Sequence, residues 1–391
     1  MDNLPPRKII LLGPAYPYRG GIATIIERLA REFAGRGARV EVLTFSVQYP
    51  EWLFPGRSQF REGPPPDDLR IVRCVNTVNP LNWWRVGRRI RREAPDFVVL
   101  KYWTPLMAPC FGTIARVAKW RGGRTKFLVQ LDNVVPHERR WFDGPLTRYF
   151  VQAMDGFVCM SRQVEGELAE FSPPDDKPRV CSPHPIFDHF GARLGREEAA
   201  AQLGLDPGVR YILFFGLVRP YKGLDMLLEA FASLRRGGGV PTKMLVAGEF
   251  YDDVAKYRAQ VERLGIGNEV VIHDRFVGDG EIPLWFSLAD LLVLPYRSAT
   301  QSGVTQIAMH FEVPMVVTDV GGLAETVRDG VTGFVADPTP ESIAAAIERS
   351  LAPGTAEALR ANFAEEKKRF SWSAAADAIE ELYRATNHIT A

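Results

Sequence analysis

At 391 residues, with 46% hydrophobic and 24% charged residues, the chain is longer than a single core usually supports and ordinary in make-up, which excludes a disordered or low-complexity polypeptide. The net charge of +1 conceals an asymmetry: residues 1–185 carry 28 Lys and Arg against 19 Asp and Glu, residues 186–391 carry 20 against 28, so the halves stand at +9 and −8. The four cysteines, Cys74, Cys110, Cys159 and Cys181, form neither a C-x-x-C pair nor a His-rich cluster at metal-ligand spacing, and no apolar run approaches the roughly 20 residues that cross a bilayer. Together these features favour reduced thiols, a cytosolic location and at most peripheral contact with a membrane.

In chain order, Lys8–Gly13 reads as a buried strand too close to the start to follow a signal peptide, and Arg19-Gly20-Gly21-Ile22 is a glycine loop entering a helix over residues 23–33. Two glycines permit close backbone approach to a ligand, and a tight turn alone also explains them. Residues 82–92, Asn-Trp-Trp-Arg-Val-Gly-Arg-Arg-Ile-Arg-Arg, hold five arginines in eight positions behind two tryptophans. Trp83, Trp84, Arg85, Arg88, Arg89, Arg91 and Arg92 are what a helix lying on an anionic membrane would carry. A solvated helix whose tryptophans pack inward fits the same residues. With no recognisable binding motif around them, nucleic acid is not the expected partner.

Lys126–Leu131 is another strand, followed by Asp132-Asn133-Val134-Val135-Pro136-His137-Glu138. The proline-rich stretch from Phe171 to Pro185 marks a hinge. Beyond it, Tyr211–Phe215 is an uninterrupted apolar strand that breaks at Gly216 and presents Arg219 and Lys222 before a helix resumes at Met226, Leu227, Leu228 and Phe231. A strand end, a glycine and two cations beside a helix start suit a phosphate, although two loop cations making no specific contact would read alike. Apolar runs at 244–249, 270–273, 291–295 and 314–318 alternate with helical segments, the pattern of a doubly wound α/β sheet. An amphipathic helix over 374–386 closes the chain.

Gly216, the Arg219/Lys222 pair, Ala289-Asp290 with Pro295, Gly321-Gly322 with Glu325, and Asp329-Gly330 with Gly333 occur in the order of a known family. In these elements, spread over about 130 residues, the C-terminal half resembles the donor-binding domain of the retaining GT4 glycosyltransferases. The resemblance implies the GT-B fold, two Rossmann-like doubly wound domains facing across a cleft. It implies an acceptor-binding domain over 1–185 with a crossover helix at 373–391, and a nucleotide-sugar donor-binding domain over 186–372. The activity implied is sugar transfer, with retention, from a UDP- or GDP-linked donor to a glycan or lipid-linked acceptor in envelope synthesis, without a cofactor or metal.

On that resemblance Arg219, Lys222, His137 and Asp132 are the catalytic residues, and Gly20, Gly21, Gly216, Glu249, Gln301, Ser302, Gly303, Val304 and Glu325 bind the donor. Asp132 occupies the position where members often place a histidine, and His137 has a structural alternative, holding its loop. The E-x7-E acids of many members fall on Ala299 and Ile307, so both are missing. Two other readings stay open at this stage: a nucleotide-sugar epimerase of the same architecture, and a catalytically inactive partner that binds nucleotide or glycan.

Overall fold

The computed structural model of the protein describes residues 7–49, 60–61, 63–135, 140–173, 175–234 and 241–388. They form two compact α/β units: one holds the chain up to Pro183 and from Trp372 onward, the other His184–Ser371.

Among the described residues the first unit has a seven-stranded parallel sheet of β1 (Lys8–Leu12), β2 (Arg39–Val47), β3 (Ile71–Asn76), β4 (Phe97–Tyr102), β5 (Lys126–Leu131), β6 (Gly156–Cys159) and β7 (Arg179–Cys181), in the order β3-β2-β1-β4-β5-β6-β7. The second has β8 (Arg210–Phe215), β9 (Thr242–Ala247), β10 (Val270–His273), β11 (Leu291–Leu294), β12 (Met315–Thr318) and β13 (Gly333–Ala336), in the order β10-β9-β8-β11-β12-β13. Helical crossovers cover both faces, so the central strands are buried throughout: every position of β4 and of β11 is enclosed. That is why these strands read as apolar runs without alternation. Each sheet reverses its strand order once, between β1 and β4 and between β8 and β11. Parallel pairing sends every strand the same way, which gathers the loops after β8, β9, β11 and β12 along one edge, around the second reversal.

The last helix, Trp372–His388, belongs to the first unit. Its buried side chains Trp372, Ala375, Ala376, Ile379 and Leu382 cover β5, β6 and β7 beside the helix Gly21–Gly35. A Cβ on Gly156 would stand 3.0 Å from Leu382, so the small residue in β6 lets this helix approach. Arg36 fastens it from the other side, 2.6 Å from Asp377. At the two ends of the second unit the amide of Ile186 donates to the carbonyl of Phe370 at 2.9 Å.

The basic run folds as the helix Pro80–Glu93, capped by Asn79, whose side chain accepts from the amides of Leu81 and Asn82. Val86, Gly87 and Ile90 are its buried face. Gly87 admits a neighbouring helix, Ala108–Lys119, so closely that a Cβ there would lie 2.6 Å from Val117 Cβ. That contact fixes the rotation of the helix and divides the residues grouped from the sequence. Trp83 turns inward and its indole donates to the Asn76 carbonyl at 2.8 Å. Arg89 pairs with Glu41 and Glu93, each at 2.7 Å. Trp84, Arg85, Arg88 and Arg92 are exposed, and Arg91 is half-buried.

Candidate active site

β8 leads into the loop that carries Arg219 and Lys222, and three glycines shape it. Gly216 has φ 101° and Gly248, after β9, has φ 151°; a Cβ on Gly248 would sit 2.0 Å from the Gly216 carbonyl oxygen. With the backbones this close the two loops join as a short ladder, Val218 N–H donating to Glu249 O and Tyr251 N–H to Val218 O, each at 2.9 Å. Glu249 is thereby held at the strand edge. Gly223 has φ 69°, and a Cβ there would meet Pro295 O at 2.0 Å. The Arg219–Gly223 turn is therefore pressed against the exit of β11.

Arg297 secures it further. Its guanidinium bonds both oxygens of Asp225, at 2.8 and 2.6 Å, and donates to Pro220 O at 3.0 Å, while its amide donates to Tyr221 O at 2.7 Å. In the opposite direction Arg297 is raised chiefly by this hydrogen bond with Asp225. Burial pushes the Asp225 carboxyl upward, but bonds from Arg297 outweigh it and leave the pKa below the usual range.

This frame holds Lys222 almost fully enclosed, 9% exposed, with its ammonium 5.4 Å from the centre of the Tyr296 ring. No carboxylate among the described residues pairs with it. Burial lowers its pKa below the usual lysine value; Tyr221 opposes the shift and Arg219 adds to it. The Tyr296 hydroxyl is likewise pushed by burial to about 12. Arg219 stands exposed at the rim with its guanidinium 5.1 Å from the Tyr251 ring centre, and it too has no ion-pair partner among the described residues.

The helix Gly303–Phe311 starts at the same place. Ser302 caps it, its hydroxyl accepting from Val304 N–H at 3.3 Å and lying 3.3 Å from the Tyr296 hydroxyl. Gly303 faces Phe187, where a Cβ would be 2.9 Å from the ring. The point a Cβ on Gly216 would occupy is 3.4 Å from both Lys222 Nζ and Val304 Cγ2, so the glycine loop, the buried ammonium and the helix start converge. Side-chain oxygens of Gln301 and Gln306 are enclosed there without a hydrogen-bond partner, and Gln306 is 1% exposed. Ala299 and Ile307, at the positions of the missing acids, are buried apolar residues. The loop after β12 ties to this segment through the Gly322 amide, which donates to Ala299 O at 3.3 Å, and it carries Glu325 exposed in the turn Ala324–Thr326.

In the first unit Gly20, at φ 106°, caps the helix Gly21–Gly35 with no side chain, and both glycines are exposed. Asp132 follows β5 and bonds through its amide to Tyr102 O at 3.0 Å. Its carboxylate lies 2.6 Å from the ammonium of Lys101, which is 0% exposed in β4. His137 lies outside the described residues.

Several of these residues escaped sequence reasoning: Lys101, Tyr296, Gly223, and the Arg297–Asp225 pair. A lysine inside the apolar run Phe97-Val98-Val99-Leu100-Lys101-Tyr102 was a usable signal, because a buried cation demands a counter-charge. For Arg297, 72 residues from Asp225, the sequence carries none. Chemically, two cations without carboxylate partners among the described residues, a glycine backbone and a helix N-terminus at one strand edge are a candidate anion site.

Residues 209–352 match the family described as Glycosyl transferases group 1, and residues 20–184 match the Glycosyl transferase 4-like domain. The chain is 33% identical to a D-inositol 3-phosphate glycosyltransferase of Streptomyces griseus over 97% of its own length and 89% of that protein's. It is also 33% identical to the enzyme of the same name from Segniliparus rotundus, over 94% and 84%. Among solved structures, sucrose-phosphate synthase from Thermosynechococcus elongatus superimposes with TM-score 0.73 at 19% identity, covering 97% of this chain and 98% of that one. Anabaena HepE in complex with UDP and glucose gives 0.70 at 18%, covering 96% and 98%. Two doubly wound parallel sheets, the two family matches and relatives 33% identical over most of their length place this chain in the glycosyl transferase group 1 family, as a GT4-like glycosyltransferase of the GT-B fold.

Proposed function

We propose that the protein transfers a sugar from a uridine-diphosphate-linked donor to a hydroxyl of a glycan or lipid-linked acceptor, with retention at the anomeric carbon, and that its second unit binds the donor. One observation carries this reading: Lys222 is a buried ammonium with no carboxylate partner among the described residues, set against Gly216 and the start of the helix Gly303–Phe311. Among the described residues that charge has no ion-pair partner, so a ligand that brings negative charge would supply one. The choice of UDP is supported by HepE, a structural neighbour solved with UDP. The relatives named D-inositol 3-phosphate glycosyltransferases support a hydroxyl acceptor.

In this proposal the anomeric carbon–phosphate oxygen bond breaks and charge collects on the diphosphate. Fixed positive charge and N–H dipoles already aimed there lower the barrier, because nothing reorganises as the charge develops. Arg219, Lys222 and the amides beside Ser302, Gly303 and Val304 are assigned to that task. The acceptor oxygen bonds to the carbon, and its proton passes to the departing phosphate oxygen. Gly216 and Glu249 frame the donor, Gln301 and Gln306 offer it neutral hydrogen bonds in place of the missing acids, and Glu325 flanks it. Within the first unit, Gly20 and Gly21 are assigned to the donor and Asp132 and His137 to catalysis on the sequence resemblance, Asp132 with its carboxylate beside the Lys101 ammonium.

Calorimetric titration of UDP and GDP into the wild type and Arg219→Ala tests the reading. Binding of UDP weakened at least tenfold by the substitution, about 1.4 kcal/mol, is expected. Absence of binding by either nucleotide in the wild type refutes the assignment of the donor site.

A further inference from the structure

The helix Pro80–Glu93 is amphipathic in two senses. Its inner side is fixed by Gly87 against the helix Ala108–Lys119 and by the Trp83 indole on Asn76. What remains outside is Leu81, Trp84, Arg85, Arg88 and Arg92, all exposed, Leu81 at 70% and Trp84 at 43%. At 3.6 residues per turn these five positions fall within an arc of about 100°. Val78, in the turn before the helix, extends the apolar end at 56% exposed.

The arc contains no acid. Glu93, the helix's one carboxylate, is already taken by Arg89 and Lys8. Arg85, Arg88 and Arg92 have no carboxylate partner among the described residues, and the Arg88 guanidinium lies over the Trp84 ring, 4.6 Å from its centre. At the C-terminal end of the neighbouring helix, Trp120 is 55% exposed with Arg121 at 5.0 Å from its ring centre, a second exposed tryptophan–arginine pair. The face thus sets exposed leucine and tryptophan beside arginines that no carboxylate among the described residues neutralises. A surface of lipid phosphates over acyl chains matches both kinds of residue: indole and leucine enter at the headgroup level while guanidinium groups bond phosphate oxygens.

We propose that this face docks on an anionic lipid bilayer, through Leu81, Trp84, Arg85, Arg88 and Arg92. The mode of attachment is peripheral: among the described residues no helix is long and apolar enough to cross a membrane. Trp83 and Arg89, part of the same run in sequence, take no part, because the fold uses them internally.

Sedimentation with vesicles tests this directly. The full chain is mixed with vesicles of equal parts phosphatidylcholine and phosphatidylglycerol, and separately with phosphatidylcholine alone. The wild type is expected to partition to the anionic vesicles, to lose this in high salt, and to ignore the neutral ones. Each arginine near a charged surface contributes roughly a fivefold factor, so Arg85→Gln/Arg88→Gln/Arg92→Gln lowers the partition by about a hundredfold. Leu81→Ala/Trp84→Ala weakens the same binding. Thermal melting and UDP affinity, which depend on other parts of the chain, stay at wild-type values in both variants. Should the triple variant melt early, Arg88→Gln alone still reads the fivefold step. Wild-type protein that sediments with neither vesicle, or equally with both, overturns the proposal, as does a triple variant that binds as the wild type does.

Discussion

Replacing Lys222 by methionine should move stability and ligand affinity in opposite directions. The ammonium is 9% exposed and has no carboxylate partner among the described residues, so in the free protein it is a cost to folding. A buried group left unsatisfied costs about 1–3 kcal/mol, and more when charged. Methionine keeps the unbranched shape without the charge, and removing about 2 kcal/mol of penalty from a unit of this size raises Tm by about 4–8 °C. Loss of a charge-assisted contact of about 1.5–3 kcal/mol should weaken UDP binding by about 10- to 150-fold.

The pH dependence follows with a definite sign. Burial sets the folded-state pKa of Lys222 below the unfolded 10.5. Between those values the unfolded chain holds the proton and the folded one releases it, so stability rises with pH across that window, and the full penalty applies below it. In the methionine variant this rise is absent. In the same window a bound diphosphate restores the proton, so titration of UDP into the wild type in buffers of different ionisation enthalpy should show proton uptake. Scanning fluorimetry and calorimetry on the two proteins suffice. A methionine variant that melts lower than the wild type while binding UDP equally well refutes the reasoning.

Other consequences are equally direct. Lys101→Met leaves Asp132 without its buried partner and should cost about 3–5 kcal/mol in urea unfolding, whereas Lys101→Met/Asp132→Leu should recover most of it; a double variant as unstable as the single would count against a paired charge. Gly223→Ala forces a side chain into φ 69° and toward an oxygen 2.0 Å away, so it should lose more than the 1–2 kcal/mol typical of a left-handed residue, about 2 °C or more in Tm. Unchanged melting would show that the turn is not pressed against β11 as described. Ending the chain at Ser371 removes Trp372, Ile379 and Leu382 from the first unit's core, each contributing about 1.5–3 kcal/mol, and should leave that unit protease-sensitive while His184–Ser371 resists digestion.

The central strands were legible because parallel sheets bury both faces: Tyr211–Phe215 and Leu291–Leu294 are apolar without interruption, and both are strands. Gly216, Arg219 and Lys222 could be found as a group because they lie within seven residues of one strand end. What the sequence could not convey is orientation and distant pairing. Trp83 and Trp84 are adjacent letters, yet one is an internal hydrogen-bond donor and the other faces solvent, a difference set by Gly87 meeting a helix some thirty residues later. Likewise, Arg219 and Lys222 look interchangeable as loop cations. Only the packing of Gly223 under Pro295 makes one buried and the other a rim residue. His137 lies outside the described residues, and its place in the site rests on the sequence resemblance.

The return of the last helix to the first unit has a consequence for biosynthesis. A ribosome releases the first unit's strands early, but the helix that covers β5, β6 and β7 emerges only after the whole second unit has been made. The nascent first unit must therefore wait with β5, β6 and β7 uncovered on one side, while the second, contiguous in the chain, is free to fold alone. Once folded, the second unit holds its own entry and exit together through the Ile186–Phe370 hydrogen bond. It then acts as a clamp on what would otherwise be a long open loop, offsetting the entropy of bringing Trp372 back to Pro183. The order of folding is thus expected to be the reverse of the order of synthesis.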